Sequence, residues 1–388
     1  MKPIYLDHHA TTPVASSVAD ALIPLLSEEY GNAASITHVY GWSAAERVDR
    51  ARKVIADLIG AAPREIVFTS GATESDNLAL LGVAAALENR GRHIITATTE
   101  HKAVLDTVRY LATIGYEVTD LSVDATGRID LGELEASIRP DTILISLMAA
   151  NNEIGTLHPI RAIGAIAKER NVVFHTDAAQ LLAHLPVDVD ADNVDLLSIS
   201  GHKMYGPKGI GALYVRSGTP IVGQIHGGGH ENGVRSGTLN VPGIVGLAAA
   251  AELAESDMEH ESGRLTRLRD LLYMRIESEL EGVRLNGHPE FRLPNNLNLS
   301  FEHVDAQLLL NRLRTVVAAS TGSACTSATP EPSHVLKEIG LPHDLSYGSV
   351  RFGLGRGTTT NDIETVAEAV IREVHFLRTH ATESNQRQ

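Results

Sequence analysis

The chain has 388 residues, beyond the ~250–300 that one core usually supports, so a large unit and a smaller one are expected. Apolar residues make up 43% and charged residues 21%, as in ordinary globular proteins, with only 4% aromatics. Against 33 basic residues stand 48 acidic ones, a net charge of −15, which argues against a broad nonspecific nucleic-acid surface. The start, Met1-Lys2-Pro3-Ile4-Tyr5-Leu6-Asp7, lacks the apolar core of a secretory signal, and the longest apolar run, near Ile244–Leu253, is too short to cross a bilayer. One cysteine and no export signal point to a reducing cytoplasm.

In chain order, Ile4-Tyr5-Leu6 reads as an isolated strand that packs with the C-terminal unit, and His8-His9 as plain loop polarity. Glu65–Thr69 is a strand, followed by Gly71 and a helix from about Thr73. Strands follow at His93–Thr98, Thr142–Met148, Val172–Thr176, Asp195–Ile199 and Gly211–Val215, with a helix near Ile160–Arg170. Such alternation implies a mainly parallel α/β sheet. Past Pro242 a helical stretch runs from about Gly243 to Glu281, with a break expected inside it. Then come a strand at Leu297–Phe301, a helix near Asp305–Leu313, a strand at Ser349–Gly353, a helix over about Asn361–Thr379, and a polar tail from Thr382 expected to fray. The expected division is 14–255 as the large unit, and 1–13 with 256–388 as a small α+β unit.

Ligands of open α/β sheets bind beyond the carboxyl ends of the strands. Five polar clusters follow predicted strands there: Ser70-Gly71-Ala72-Thr73-Glu74, Thr99-Glu100-His101-Lys102, Asn151-Asn152-Glu153, His175-Thr176-Asp177-Ala178-Ala179-Gln180 and Ser200-Gly201-His202-Lys203. The Ser70–Thr73 turn opens a helix, where free N–H groups bind anions; Thr73 also reads as a helix cap with Asp76 as its box partner. Asp177 ends an apolar strand, where a carboxylate needs a partner. Lys203, after another strand, suits Schiff-base chemistry. Anion site, strand-end acid and strand-end amine are what pyridoxal phosphate requires for its phosphate, ring nitrogen and aldehyde.

Other motifs fail. Gly206-Pro207-Lys208-Gly209-Ile210-Gly211 has the composition of a phosphate loop but precedes a strand rather than a helix. No dinucleotide fingerprint opens a helix after a strand. His226 and His230 are separated by three glycines, so no helix aligns them for a metal. The lone cysteine lies among small and hydroxyl residues, Thr321-Gly322-Ser323-Ala324-Cys325-Thr326-Ser327, a setting for a reachable thiol.

The motifs Phe68-Thr69-Ser70-Gly71-Ala72-Thr73-Glu74-Ser75, Thr99-Glu100-His101, Asn151-Asn152-Glu153-Ile154-Gly155, Ser200-Gly201-His202-Lys203, Arg235-Ser236-Gly237-Thr238 and Gly322-Ser323-Ala324-Cys325 together resemble the NifS/IscS-type cysteine desulfurases. These are pyridoxal phosphate enzymes of the class V aminotransferase family, with the aspartate aminotransferase-like fold (fold type I). The resemblance runs from Tyr5 to about Thr359. It implies that Lys203 holds the cofactor, Asp177 pairs with its ring nitrogen, Gln180 meets its phenolic oxygen and His101 stacks on the ring. It implies that Ala72, Thr73, Ser200 and His202 bind the phosphate, and that Thr238 reaches the phosphate of the other subunit of a homodimer. Asn152, Arg351 and Asn32 would receive the substrate, and Cys325 would take its sulfur.

The implied activity converts L-cysteine to L-alanine and a Cys325 persulfide. That sulfur would pass to an acceptor protein for iron–sulfur cluster assembly, tRNA thiolation or DNA phosphorothioation. The rival implied within the family is a transaminase or a selenocysteine or β-lyase that needs no thiol. The segment 320–332 resembles the long catalytic loop of the first desulfurase subgroup and reads as mobile. Two departures stand out: Ala33 follows Gly31-Asn32 where the family has proline, and His8-His9 replaces the more usual pair.

Overall fold

Apolar runs closed by glycine or polar residues become strands, and the amphipathic stretches between them become helices. The computed structural model describes residues 2–321 and 333–385. The strands are β1 (Ile4–Tyr5), β2 (Ile66–Thr69), β3 (His93–Ala97), β4 (Glu117–Leu121), β5 (Thr142–Ser146), β6 (Val173–Asp177), β7 (Leu196–Ser200), β8 (Gly211–Val215), β9 (Val283–Leu285), β10 (Asn296–Phe301), β11 (Val317–Ala318) and β12 (Ser349–Gly353).

Seven strands form the main sheet, in the order β2-β8-β7-β6-β5-β3-β4. Its pairings are parallel except those of β8, which runs antiparallel to both β2 and β7. β2, β3, β5, β6 and β7 are buried at every residue, the pattern of a sheet covered on both faces. Period-2 alternation sorts their side chains. Phe68 and Leu197 join a core with Ile55 and Leu247. Their chain neighbours Val67 and Leu196 join the opposite core with Leu80 and Val104. The edge strand β4 has no counterpart in the sequence reading, because its exposed Glu117 and Asp120 hide the apolar signal.

The break expected in the long helix is absent: Val241–Glu279 is one continuous helix of 39 residues. It is a strut shared by two cores. Ile244, Leu247 and Ala251 pack into the main one, whereas Leu265, Leu272 and Ile276 join a second with Leu6, Phe301, Phe352 and Val370. Its middle turn is fastened by Arg264, which pairs with Glu261 at 2.8 Å and donates to the Thr358 carbonyl at 2.6 Å. The second core backs an antiparallel sheet ordered β12-β10-β9, and β1 pairs in parallel with β11. The last helix, Thr360–Asn385, extends beyond its expected end and includes 382–385 of the polar tail. Among the described residues no helix is long and apolar enough to cross a membrane.

The N-terminal segment is laid across the rim where β6 and β7 end. Thr12 N–H donates to the His202 carbonyl at 2.9 Å, and Ala15 N–H to the Tyr205 carbonyl at 3.0 Å. This closes one side of the space beyond the strand ends.

Candidate active site

A cavity of about 470 Å³ lies at that rim. Its wall takes Ala72 and Thr73 from beyond β2, His101 from beyond β3 and Asn152 from beyond β5. Asp177 and Gln180 come from the end of β6, and Ser200, His202 and Lys203 from the end of β7. The five clusters meet because β2, β3, β5, β6 and β7 share one direction. A larger cavity, about 680 Å³, is lined by Arg90, Lys168, Asp195 and Arg216 near the amino ends of β6 and β7. Lys168 is bonded there to Asn193 at 2.8 Å and Arg216 to Asp190 at 2.6 Å.

Close backbone packing shapes the anion turn. Gly71 has φ 149, a conformation side chains avoid. A Cβ on Gly211 would stand 2.6 Å from the Gly71 Cα, so β8 approaches this turn only as glycine. The turn opens the helix Ala72–Leu87, whose first N–H groups lack intrahelical acceptors. The capping reading of Thr73 with Asp76 is overturned. The helix starts from Gly71 without a side-chain cap, and Asp76 points inward, fully buried, its Oδ1 3.6 Å from His175 Nε2. Local spacing suited a box, but burial took Asp76 to the sheet side of the helix.

Burial dominates the electrostatics. It pushes the Asp177 carboxyl above its usual range, against the pull of His101 and Lys203, and Asp177 Oδ1 accepts the Ala179 N–H at 2.9 Å. It holds Asp76 and Glu100 well above the carboxylate range. His202 is pulled down to about 4, mainly by burial and next by Lys203. The Lys203 amine is pulled down to about 8, first by burial and then by the Arg351 charge, against Asp177 and Asp7. Its Nζ donates to the carbonyls of His9 and, at 2.9 Å, Ala10. His101 Nδ1 accepts the Ala103 N–H at 3.1 Å, so the neutral ring carries its proton on Nε2.

Three other expected residues lie off this wall. Arg351 is buried behind it, donating to the Asn152 carbonyl at 2.8 Å and to Asp7 Oδ1 at 2.9 Å. Thr238 and Asn32 are exposed and do not line the cavity. Cys325 and the expected mobility of its loop fall outside the described residues.

The aminotransferase class-V family model matches residues 4–366. A cysteine desulfurase IscS of Anaeromyxobacter dehalogenans strain 2CP-C is 52% identical over 378 residues, 97% of this chain and 93% of its own. The chain belongs to the aminotransferase class-V family, among its cysteine desulfurases. A solved NifS-like protein superposes with a TM-score of 0.91 at 37% identity, over 96% of this chain and 100% of its own. SspA in complex with cysteine superposes at 0.81 with 41% identity, over 90% and 98%. The cofactor of this family is pyridoxal 5′-phosphate, and the donor set fits it. A helix N-terminus for a phosphate, a buried acid at a strand end and an amine of depressed basicity share one cavity.

Sequence reasoning missed several wall features of this desulfurase. His8-His9 is not loop polarity: both are buried. His9 Nδ1 donates to Gln180 Oε1 at 2.9 Å, and its carbonyl accepts Gln180 Nε2 at 3.1 Å. Lys208 and Gly209 of the rejected glycine loop also reach the wall, beside the anion turn. Glu74 there pairs with Arg235 at 2.8 Å, a contact 161 residues long. Glu74 and Arg235 each stand in a motif of the sequence, but nothing local joins the two.

The Lys203 shift has a measurable sign. Only the neutral amine attacks an aldehyde, so cofactor loading of the stripped protein is expected to speed up about tenfold per pH unit below pH 8 and then level off. Stopped-flow absorbance over pH 6–10.5 measures this; a rate still climbing to pH 10 contradicts it.

Proposed function

We propose that this desulfurase moves the sulfur of L-cysteine onto Cys325, releases L-alanine, and passes the sulfur to an acceptor protein. The observation that carries the reading is the Lys203 amine and the buried Asp177 on one cavity wall, beside the anion turn of Ala72 and Thr73. Pyridoxal 5′-phosphate, when bound, supplies an electron sink to the substrate carbon bearing the amine. Lys203 Nζ would hold the cofactor, and its amine would take the proton of that carbon. Asp177 holds a proton on the ring nitrogen, Gln180 meets the phenolic oxygen, and His101 offers Nε2 for proton passage. Ala72, Thr73, Ser200 and His202 hold the phosphate. Asn152, Arg351 and Asn32 orient the substrate.

The reaction balances without an outside oxidant. The carbon–sulfur bond of cysteine breaks and a sulfur–sulfur bond to Cys325 Sγ forms. The carbon gains hydrogen in place of sulfur, and the sulfur reaches the persulfide level. A serine hydroxyl, un-ionised at neutral pH, does not replace the thiol.

A homodimer accounts for two features outside the cavity. Thr238 is exposed and off its own wall, and serves the phosphate of a second copy. Ile23, Leu26, Tyr30, Ile36, Val39, Tyr40 and Trp42 expose apolar side chains within one short stretch of the chain, the kind of surface a second copy would cover. Separate apolar cores support the division into 14–255 and 1–13 with 256–388. A thiol that must stay reduced suits the cytoplasm. The acceptor serves iron–sulfur assembly, tRNA thiolation or DNA phosphorothioation.

The test is product analysis of the loaded enzyme with L-cysteine. Alanine and a Cys325 peptide heavier by one sulfur atom are expected in equal amounts in the first turnover. Pyruvate, a keto acid, or alanine with no sulfur on Cys325 selects the lyase or transaminase reading. Sedimentation is expected to show twice the chain mass.

A further inference from the structure

One charged residue of the Asn151-Asn152-Glu153 motif has no part in the chemistry above. Glu153 is buried, and Oε2 accepts the hydroxyl of Ser333. Its backbone is held as firmly. The N–H donates to Asn151 Oδ1 at 2.9 Å, and the carbonyl accepts the side-chain amides of Asn296 and Asn298 at 3.1 Å each.

Ser333 is where the described chain resumes after residue 332. It caps the helix His334–Glu338 by accepting the Leu336 N–H at 3.3 Å. That helix is set against the same motif: Val335, Leu336 and Ile339 pack with Ile154, and His334 Nε2 donates to the Glu100 carbonyl at 3.1 Å. On the near side, Ser320 and Arg351 exchange backbone hydrogen bonds of 3.3 and 2.7 Å. The segment carrying Cys325 is therefore rooted at both ends beside residues assigned to the substrate: Arg351 at one end, the neighbour of Asn152 at the other.

We propose that Glu153, through Ser333, is a positioning residue for sulfur transfer. It sets the point on the rim from which the C-terminal side of the Cys325 segment departs, a role that rests on Cys325 being the sulfur acceptor. Seven residues lie between Cys325 and Ser333, so the chain joining them spans at most about 28 Å over its eight steps. Where the root stands decides which part of that range faces the cavity, and hence the effective concentration of the thiol at the substrate sulfur. The hydrogen bond has a carboxylate acceptor and is of the stronger class.

The test uses the loaded enzyme with Ser333→Ala, Glu153→Ala, the double variant and Ser333→Thr. Two readouts are taken: the cofactor absorbance change on adding L-cysteine, which needs no thiol, and single-turnover persulfide formation on Cys325. In either alanine variant the absorbance change is expected to persist while persulfide formation slows about tenfold, the size of one hydrogen bond to a charged group. The double variant is expected to be no slower than the slower single one, and Ser333→Thr to recover most of the rate.

Persulfide formation within about twofold of the original in Ser333→Ala overturns the proposal. So does equal loss of both readouts, or additive loss in the double variant. Cys325→Ser separates the two readings. Alanine release surviving that change removes the parent reading and this one with it. Its loss beside a normal Ser333→Ala rate overturns the positioning role alone.

Discussion

Lys203→Ala is expected to abolish turnover of L-cysteine, with a fall on the order of 10³–10⁶-fold, the range seen when a group central to a catalytic unit is removed. The residue is assigned two tasks that alanine cannot perform: holding the cofactor covalently and accepting a proton from the substrate. Its environment prepares both. Burial and Arg351 bring the amine to about 8, so roughly a tenth to a fifth of it is neutral near physiological pH, where an ordinary lysine is almost wholly charged. The carbonyls of His9 and Ala10 hold Nζ at the wall. Lys208 also lines the cavity but is exposed. Borohydride treatment followed by mass spectrometry is decisive: cofactor fixed to the original chain at Lys203 and none fixed in the variant is the expected result. Cofactor fixed elsewhere with activity retained refutes the assignment.

Cys325→Ser is expected to cost on the order of 10³-fold or more in alanine formation, yet to leave cofactor binding untouched. The wall residues that would hold cofactor and substrate, Asp177, Gln180, His202 and Asn152 among them, are contributed by strand ends more than a hundred residues before position 325 in the chain. L-Cysteine is therefore expected to perturb the cofactor spectrum of the variant much as in the original, with the reaction halting before sulfur leaves carbon. Absorbance spectroscopy paired with alanine quantification checks both halves. A variant that still releases alanine places the nucleophile elsewhere.

The cavity wall was legible where chemistry sits at strand ends. Asp177 and Lys203 each close an apolar run, and the rule that ligands gather beyond the carboxyl ends of parallel strands joins them without any contact being known. Legibility failed where one residue's role depends on a distant one. The spacing of Thr73 and Asp76 is that of a capping box, yet desolvation drew Asp76 towards His175 on β6. The histidines at positions 8 and 9 sit in a polar stretch, and only the path of the N-terminal segment over the rim buries them against Gly353 and Gln180. The unbroken helix Val241–Glu279 was hidden for a related reason. Its apolar stripe changes partner midway, and the polar residues between the two cores, Glu261 and Arg264, imitate a break.

Order along the chain was enough to specify the alternating strands and helices, the acid and amine at their ends, the anion turn and the family, because each rests on neighbours within a few residues or on motifs read locally. Folding alone decided the basicity of Lys203, the inward turn of Asp76, the partner of His9, and the fastening of Ser333 to Glu153 across 180 residues. Those depend on loss of water and on contacts between distant segments, and neither exists until the chain has closed around the cavity.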